Sequence, residues 1–102
     1  MASEIYRFRF DQGVTMRDVH ESLRLAIYAA EAVHGRSQVR LDFGYCADDE
    51  KRSLVLDART EAGRTVARIF TGFLTQQFGE EAFRVERVGQ HRDADLPAEV
   101  RR

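Results

Sequence analysis

Two stretches of helical period, Val14–Gly35 and Glu61–Phe78, are each flanked by segments that alternate apolar and polar residues with period two. That interleaving is the strongest constraint on the fold. A helix has one apolar stripe and a half-buried strand has one apolar face, so the economical solution lays both helices on one side of a sheet. The first helix is well marked at its ends. Thr15 suits the N-cap, Asp18 the third helical position, and Gly35 the residue that ends the helix. Val14 before the cap and Val19 within the second turn have the spacing of a hydrophobic staple. Along the helix Met16, Val19, Leu23, Ala26, Ile27, Ala30 and Val33 fall on one side and are expected to cover the core. A second set, Leu25, Tyr28, Ala29 and Ala32, follows an i, i+3, i+4, i+7 spacing on the other side, and folding onto one sheet does not require it.

The strands follow from alternation. In Glu4–Phe10 the rings of Tyr6, Phe8 and Phe10 point one way, and Ile5, Arg7 and Arg9 the other. Val39, Leu41, Phe43 and Tyr45 alternate with Arg40, Asp42, Gly44 and Cys46, which predicts a second strand. Ala47–Arg52 is a polar connection, and Leu54, Leu56 and Ala58 place a third strand against the core, with Val55 and Asp57 outward. Thr60 caps the second helix, whose inner stripe is Ala62, Val66, Ile69, Phe70, Phe73 and Leu74. Gly72 inside it costs about 1 kcal/mol relative to Ala, a cost that the close approach of another backbone would explain. Phe83–Val88 supplies the fourth strand, with Phe83 and Val85 inward and Arg84 and Glu86 outward.

The expected order is therefore β-α-β-β-α-β. Right-handed crossovers put both helices on one face, so the predicted fold is an α+β, ferredoxin-like two-layer sandwich with an antiparallel four-stranded sheet in the order 4-1-3-2. Residues 1–89 make one domain, and residues 90–102 a polar tail or linker too poor in apolar residues to join the core.

Composition excludes several function classes. The formal charge is −1, unlike a dedicated nucleic-acid binder. The aromatic residues of the strands all fall on the core face, leaving no stacking platform for bases on the other. No run approaches the roughly 20 apolar residues of a membrane span, and Cys46 is the single cysteine, so a cytoplasmic setting is expected. Three scattered histidines and one cysteine give no zinc spacing, and the acidic run Asp48-Asp49-Glu50 lacks the ligand alternation of a calcium loop. No metal or cofactor is expected.

The loop Gln12-Gly13-Val14-Thr15-Met16-Arg17 resembles the phosphate-cradling loop of acylphosphatases, a family with the same element order and a Gln-Gly-Val-x-aromatic-Arg loop before its first helix. That resemblance implies an anion site at Gly13, Thr15 and Arg17, with Arg17 as the anion ligand. It covers six residues. Thr15 and Met16 stand where the family has a Gly and an aromatic residue, and the chain contains no Asn to orient water. The leading expectation is a non-enzymatic protein-interaction or assembly domain. It would self-associate as a homo-oligomer or dock on a partner protein through Leu25, Tyr28, Ala29 and Ala32 or through the open sheet. An anion-binding or acylphosphatase-like hydrolase is the alternative.

Overall fold

The computed structural model describes residues 4–88. β1 (Ile5–Phe10) leads to α1 (Met16–His34), a short α2 (Arg36–Asp42), β2 (Gly44–Asp48), β3 (Ser53–Asp57) and α3 (Glu61–Phe78). A single 3-10 turn, Glu80–Ala82, then delivers β4 (Phe83–Arg87). The expected tail, 90–102, lies outside the described residues.

All four strands form one antiparallel sheet. Counted from the β2 edge it runs β2-β3-β1-β4; counted from the β4 edge, the same neighbours read 4-1-3-2. β1 is held on both sides, Phe8 lying between Leu54 and Val85. Alternation then sorts the side chains. Phe8, Phe10, Leu54, Leu56, Phe43 and Phe83 join Val19, Leu23 and Ala26 of α1 and Val66, Phe70 and Leu74 of α3 in one buried cluster, so both long helices cover the same face. Phe8 is its hub, meeting the Phe70 ring edge-on at 5.1 Å between centroids, a favoured aromatic geometry.

α1 and α3 run antiparallel. Ser22 donates to Gln77 Oε1 at 2.8 Å near one end of the pair, and His34 Nε2 hydrogen-bonds Thr65 Oγ1 at 2.7 Å near the other. Both helices have the expected caps. The Asp18 N–H donates to Thr15 Oγ1 at 3.2 Å, the Gly63 N–H donates to Thr60 Oγ1 at 3.0 Å, and Gly35 and Gly79 close the C-termini at φ 93° and 88°.

Three expectations are corrected. The alternating run beginning at Val39 is not all strand: Arg36–Asp42 is helical, and β2 starts only at Gly44. β3 has five residues and on its β2 side offers partners to Gly44–Asp48 alone, so the preceding residues find another use. As a helix they insert one buried side chain, Val39, into the core, and the Thr60 hydroxyl donates to the Asp42 carbonyl at 2.8 Å, fastening the end of α2 to the start of α3. Leu41, expected inward, is exposed. Val33 is exposed too: it stands only about 20° around the helix from buried Ala26, but it lies past Ala30, the last buried residue of α1, where the core ends. Val85 lies on the core side opposite Phe8 but at the sheet's edge, where it remains 44% exposed.

Glycine roles are also redistributed. Nothing lies within 4 Å of a Cβ built on Gly72. The close approach is at Gly63, where a Cβ would fall well inside van der Waals distance of the Asp57 carbonyl oxygen and 3.1 Å from Ala58 Cα.

Candidate interaction surface

The outer face of α1 carries large exposed apolar side chains. Leu25 is 58% exposed and Tyr28 74%; Ala29 is half-buried and Ala32 exposed. Val33, at 69%, and Leu41 on α2, at 68%, extend the exposure toward the α1–α2 junction. Sequence reasoning missed both. Helical period places Val33 on the face of Ala26, so no local signal marked its exposure. For Leu41 the signal was the glycine-bounded start of a second short helix.

The cap bonds and the antiparallel contact with α3 tie α1 to the rest of the fold at both ends. Large apolar residues gathered on one face mark interaction sites more often than scattered ones do. Small Ala29 and Ala32 permit close backbone approach, and Tyr28 supplies an anchor with a polar tip. Glu21 and Arg36 lie toward the two ends, both exposed.

The loop before α1 is built around a different residue from the one the sequence suggested. Gly13 is exposed, with open space around it. Thr15 is occupied as the cap. Arg17 is 87% exposed at its side chain and stands 3.8 Å from Glu21. Arg52, from the β2–β3 hairpin, reaches under the loop and donates to the carbonyls of Phe10, Asp11 and Val14. Two backbone donors of the loop are already used, Asp11 N–H to Ala82 O and Val14 N–H to Asp11 O. The loop thus turns carbonyls inward around a guanidinium. No local pattern announces that role for Arg52; its one mark is a positive φ of 54°. A second tie joins the same two regions, His20 Nε2 to Asp49 Oδ1 at 2.8 Å.

On the open face of the sheet Ile5, Val55 and Val88 form a small buried cluster. Around it lie charges. Arg7 and Arg9 both contact Glu86 Oε1, at 3.4 and 3.3 Å, which is the cross-strand neutralisation that alternating charges allow. Asp57 is fully buried there and accepts from the Arg59 backbone N–H, Nε and Nη2 at 2.8–3.1 Å. The carboxylate turns the chain from β3 toward α3, and its partner satisfies it, as a buried charge requires. A cavity of about 640 Å³ opens between this face and the hairpin, lined by residues of both signs, among them Arg7, Arg9, Asp48 and Lys51. Cys46 borders it.

Among the described residues no group of three or more His, Cys, Asp or Glu is placed to hold a metal ion, and no helix is long and apolar enough to cross a membrane. Compared with protein-family models, with curated proteins and with solved structures, the chain finds no match in any of the three.

Proposed function

We propose that this chain is a non-enzymatic interaction and assembly domain, built on a ferredoxin-like sandwich, whose docking surface is the outer face of α1. The observation that carries the reading is the joint exposure of Leu25 and Tyr28 beside Ala29 and Ala32 on a capped helix. The occupant is a second copy of the same helix. Set antiparallel about a two-fold axis between Tyr28 and Ala29, the two strips place large against small, Leu25 against Ala32 and Tyr28 against Ala29. Two turns of helix cover less than the roughly 800 Å² per partner of a standard interface, so the association is weak and concentration-dependent.

The test is the solution mass of wild type and Tyr28→Glu over a dilution series. The substitution sits on the surface and leaves the monomer folded, while its two copies bring like charges together at the axis. The expected result is that Tyr28→Glu lowers the mass reached at high concentration. Equal masses for the two proteins at every concentration would remove this surface from self-association.

A further inference from the structure

The sheet has two edges, and one of them is self-complementary. We propose that the outer edge of β4 pairs with β4 of a second copy, antiparallel about a two-fold axis through Val85. This contact shares no residue with the α1 strip and stands or falls independently of it.

The register follows from the hydrogen bonding of β4 to β1. The Val88 N–H donates to Ile5 O, and the Asp11 N–H donates to Ala82 O. In an antiparallel ladder bonded pairs alternate, so the backbone groups of residues 82, 84, 86 and 88 face β1. Those of Phe83, Val85 and Arg87 face outward from the edge. An added strand must therefore match these three positions to its own outward set. A two-fold pairing allows three central registers. One sets Arg84 opposite itself and another sets Glu86 opposite itself, both like-charge contacts that destabilise. The third sets Val85 opposite Val85, Phe83 opposite Arg87, and Arg84 opposite Glu86 twice.

Three observations favour that third register. Arg84 lies directly opposite Arg9 within the sheet and makes no ion pair with any described residue, whereas Glu86 already has two arginines beside it. A second copy offers Arg84 the acidic neighbour that its own chain lacks. Val85 is a large apolar residue left 44% exposed on the helix side of the edge, and its symmetry mate would cover it. α3 leaves the approach open: a groove of about 500 Å³, lined by Tyr6, Phe8, Ala67, Arg68 and Val85 among others, separates it from the β4 side of the sheet. The β2 edge has no equivalent pattern, since Asp48 is its one charged residue. Charges on an edge strand also serve to discourage pairing. The alternation Arg-Val-Glu-Arg differs from such protection in that one register turns it attractive.

The experiment uses full-length chains carrying Tyr28→Glu, so that the α1 face is disabled, with mass read by sedimentation and folding by circular dichroism. The parent is expected to form a dimer. On the open-sheet face of the edge, R84E leaves two acidic residues, at 84 and 86, and E86R two basic ones. Each alone is expected to weaken the dimer about tenfold or more. Mixed one to one, they are expected to recover it as a heterodimer, because both contacts are then between unlike charges. The doubly swapped chain, R84E with E86R, is expected to recover a homodimer and stands in for the mixture if either single variant fails to fold. A parent that stays monomeric at the highest concentration would overturn the proposal. So would single variants that dimerise as the parent does, or mixtures and swaps that show no recovery. These outcomes are separable from failure of the α1 reading, which shows as wild type and Tyr28→Glu having the same mass.

Discussion

Gly63→Ala and Gly72→Ala are the same chemical change in the same helix and are expected to act in opposite directions. Gly63 is the third residue of α3, and its missing side chain is what lets α3 start against the end of β3. An added Cβ would meet the Asp57 carbonyl oxygen inside contact distance, Ala58 Cα at 3.1 Å and Thr60 Oγ1 at 3.1 Å. Two of these are backbone atoms of a buried turn, which cannot rotate away. The helix start must move, at an overpacking cost of about 1–3 kcal/mol. The Thr60 cap bond to the Gly63 N–H is disturbed with it, a further ~1 kcal/mol. Against this stands a helix-propensity gain of at most about 1 kcal/mol. The net expectation is a loss of about 1–3 kcal/mol, or a fall in Tm of roughly 4–8 °C per kcal/mol for a domain near this size. Gly72 is exposed with open space around it, so alanine there gains most of the propensity difference, about 1 kcal/mol, and raises Tm by roughly 4–8 °C. Thermal and urea melts of the two variants beside wild type measure both. A Gly63→Ala protein as stable as wild type would refute the close approach at the β3–α3 turn. A destabilised Gly72→Ala protein would refute the open space.

Two further predictions concern the core and the loop before α1. Leu23→Ala and Phe70→Ala should each lower stability by about 2–5 kcal/mol, since both side chains are buried in the central cluster; a wild-type urea midpoint for either would show that the helix faces are misassigned. Arg52→Ala should cost about 2–3 kcal/mol by removing the charged donor from three carbonyls. Arg52→Gly should be less harmful than Arg52→Ala because glycine accepts the positive φ, and a glycine variant more stable than wild type would show that the guanidinium contacts are worth less than the relief of that backbone strain.

Legibility in the sequence tracked the range of the interactions. α1 and α3 could be bounded to a residue or two because Thr15, Gly35, Thr60 and Gly79 act within a few positions of themselves. α2 could not, because seven residues are too few to separate period two from period 3.6, and the deciding factor was the length of β3, further along the chain. Asp57 reads as an outward strand residue by alternation. Its burial depends on Arg59 folding back over it, which no spacing rule encodes. Arg52 is the same case at longer range, since its three acceptors belong to a loop near the N-terminus. The strip on α1 was visible as surplus apolar residues, but its continuation to Val33 and Leu41 depended on where the core stops. The pairing pattern of the β4 edge required knowing which of its backbone groups face β1.

The central place of β1 has a consequence for how the chain comes to be folded. Phe8 is flanked by Leu54 and Val85, so β1, made before the other three strands, has no strand neighbour until β3 has emerged and lacks its second until β4 is complete. Through that interval a segment bearing Tyr6, Phe8 and Phe10 waits with both backbone edges unpaired and only α1 available to cover its rings, a hazard typical of sheets that close through distant pairings. Arg7 and Arg9 alternate with those rings and keep the waiting segment charged, as gatekeepers do beside strands that must be apolar. Substituting both with threonine would preserve strand propensity and leave the finished sheet little changed, yet yield in the cell would fall as newly made chains aggregate before β3 and β4 arrive.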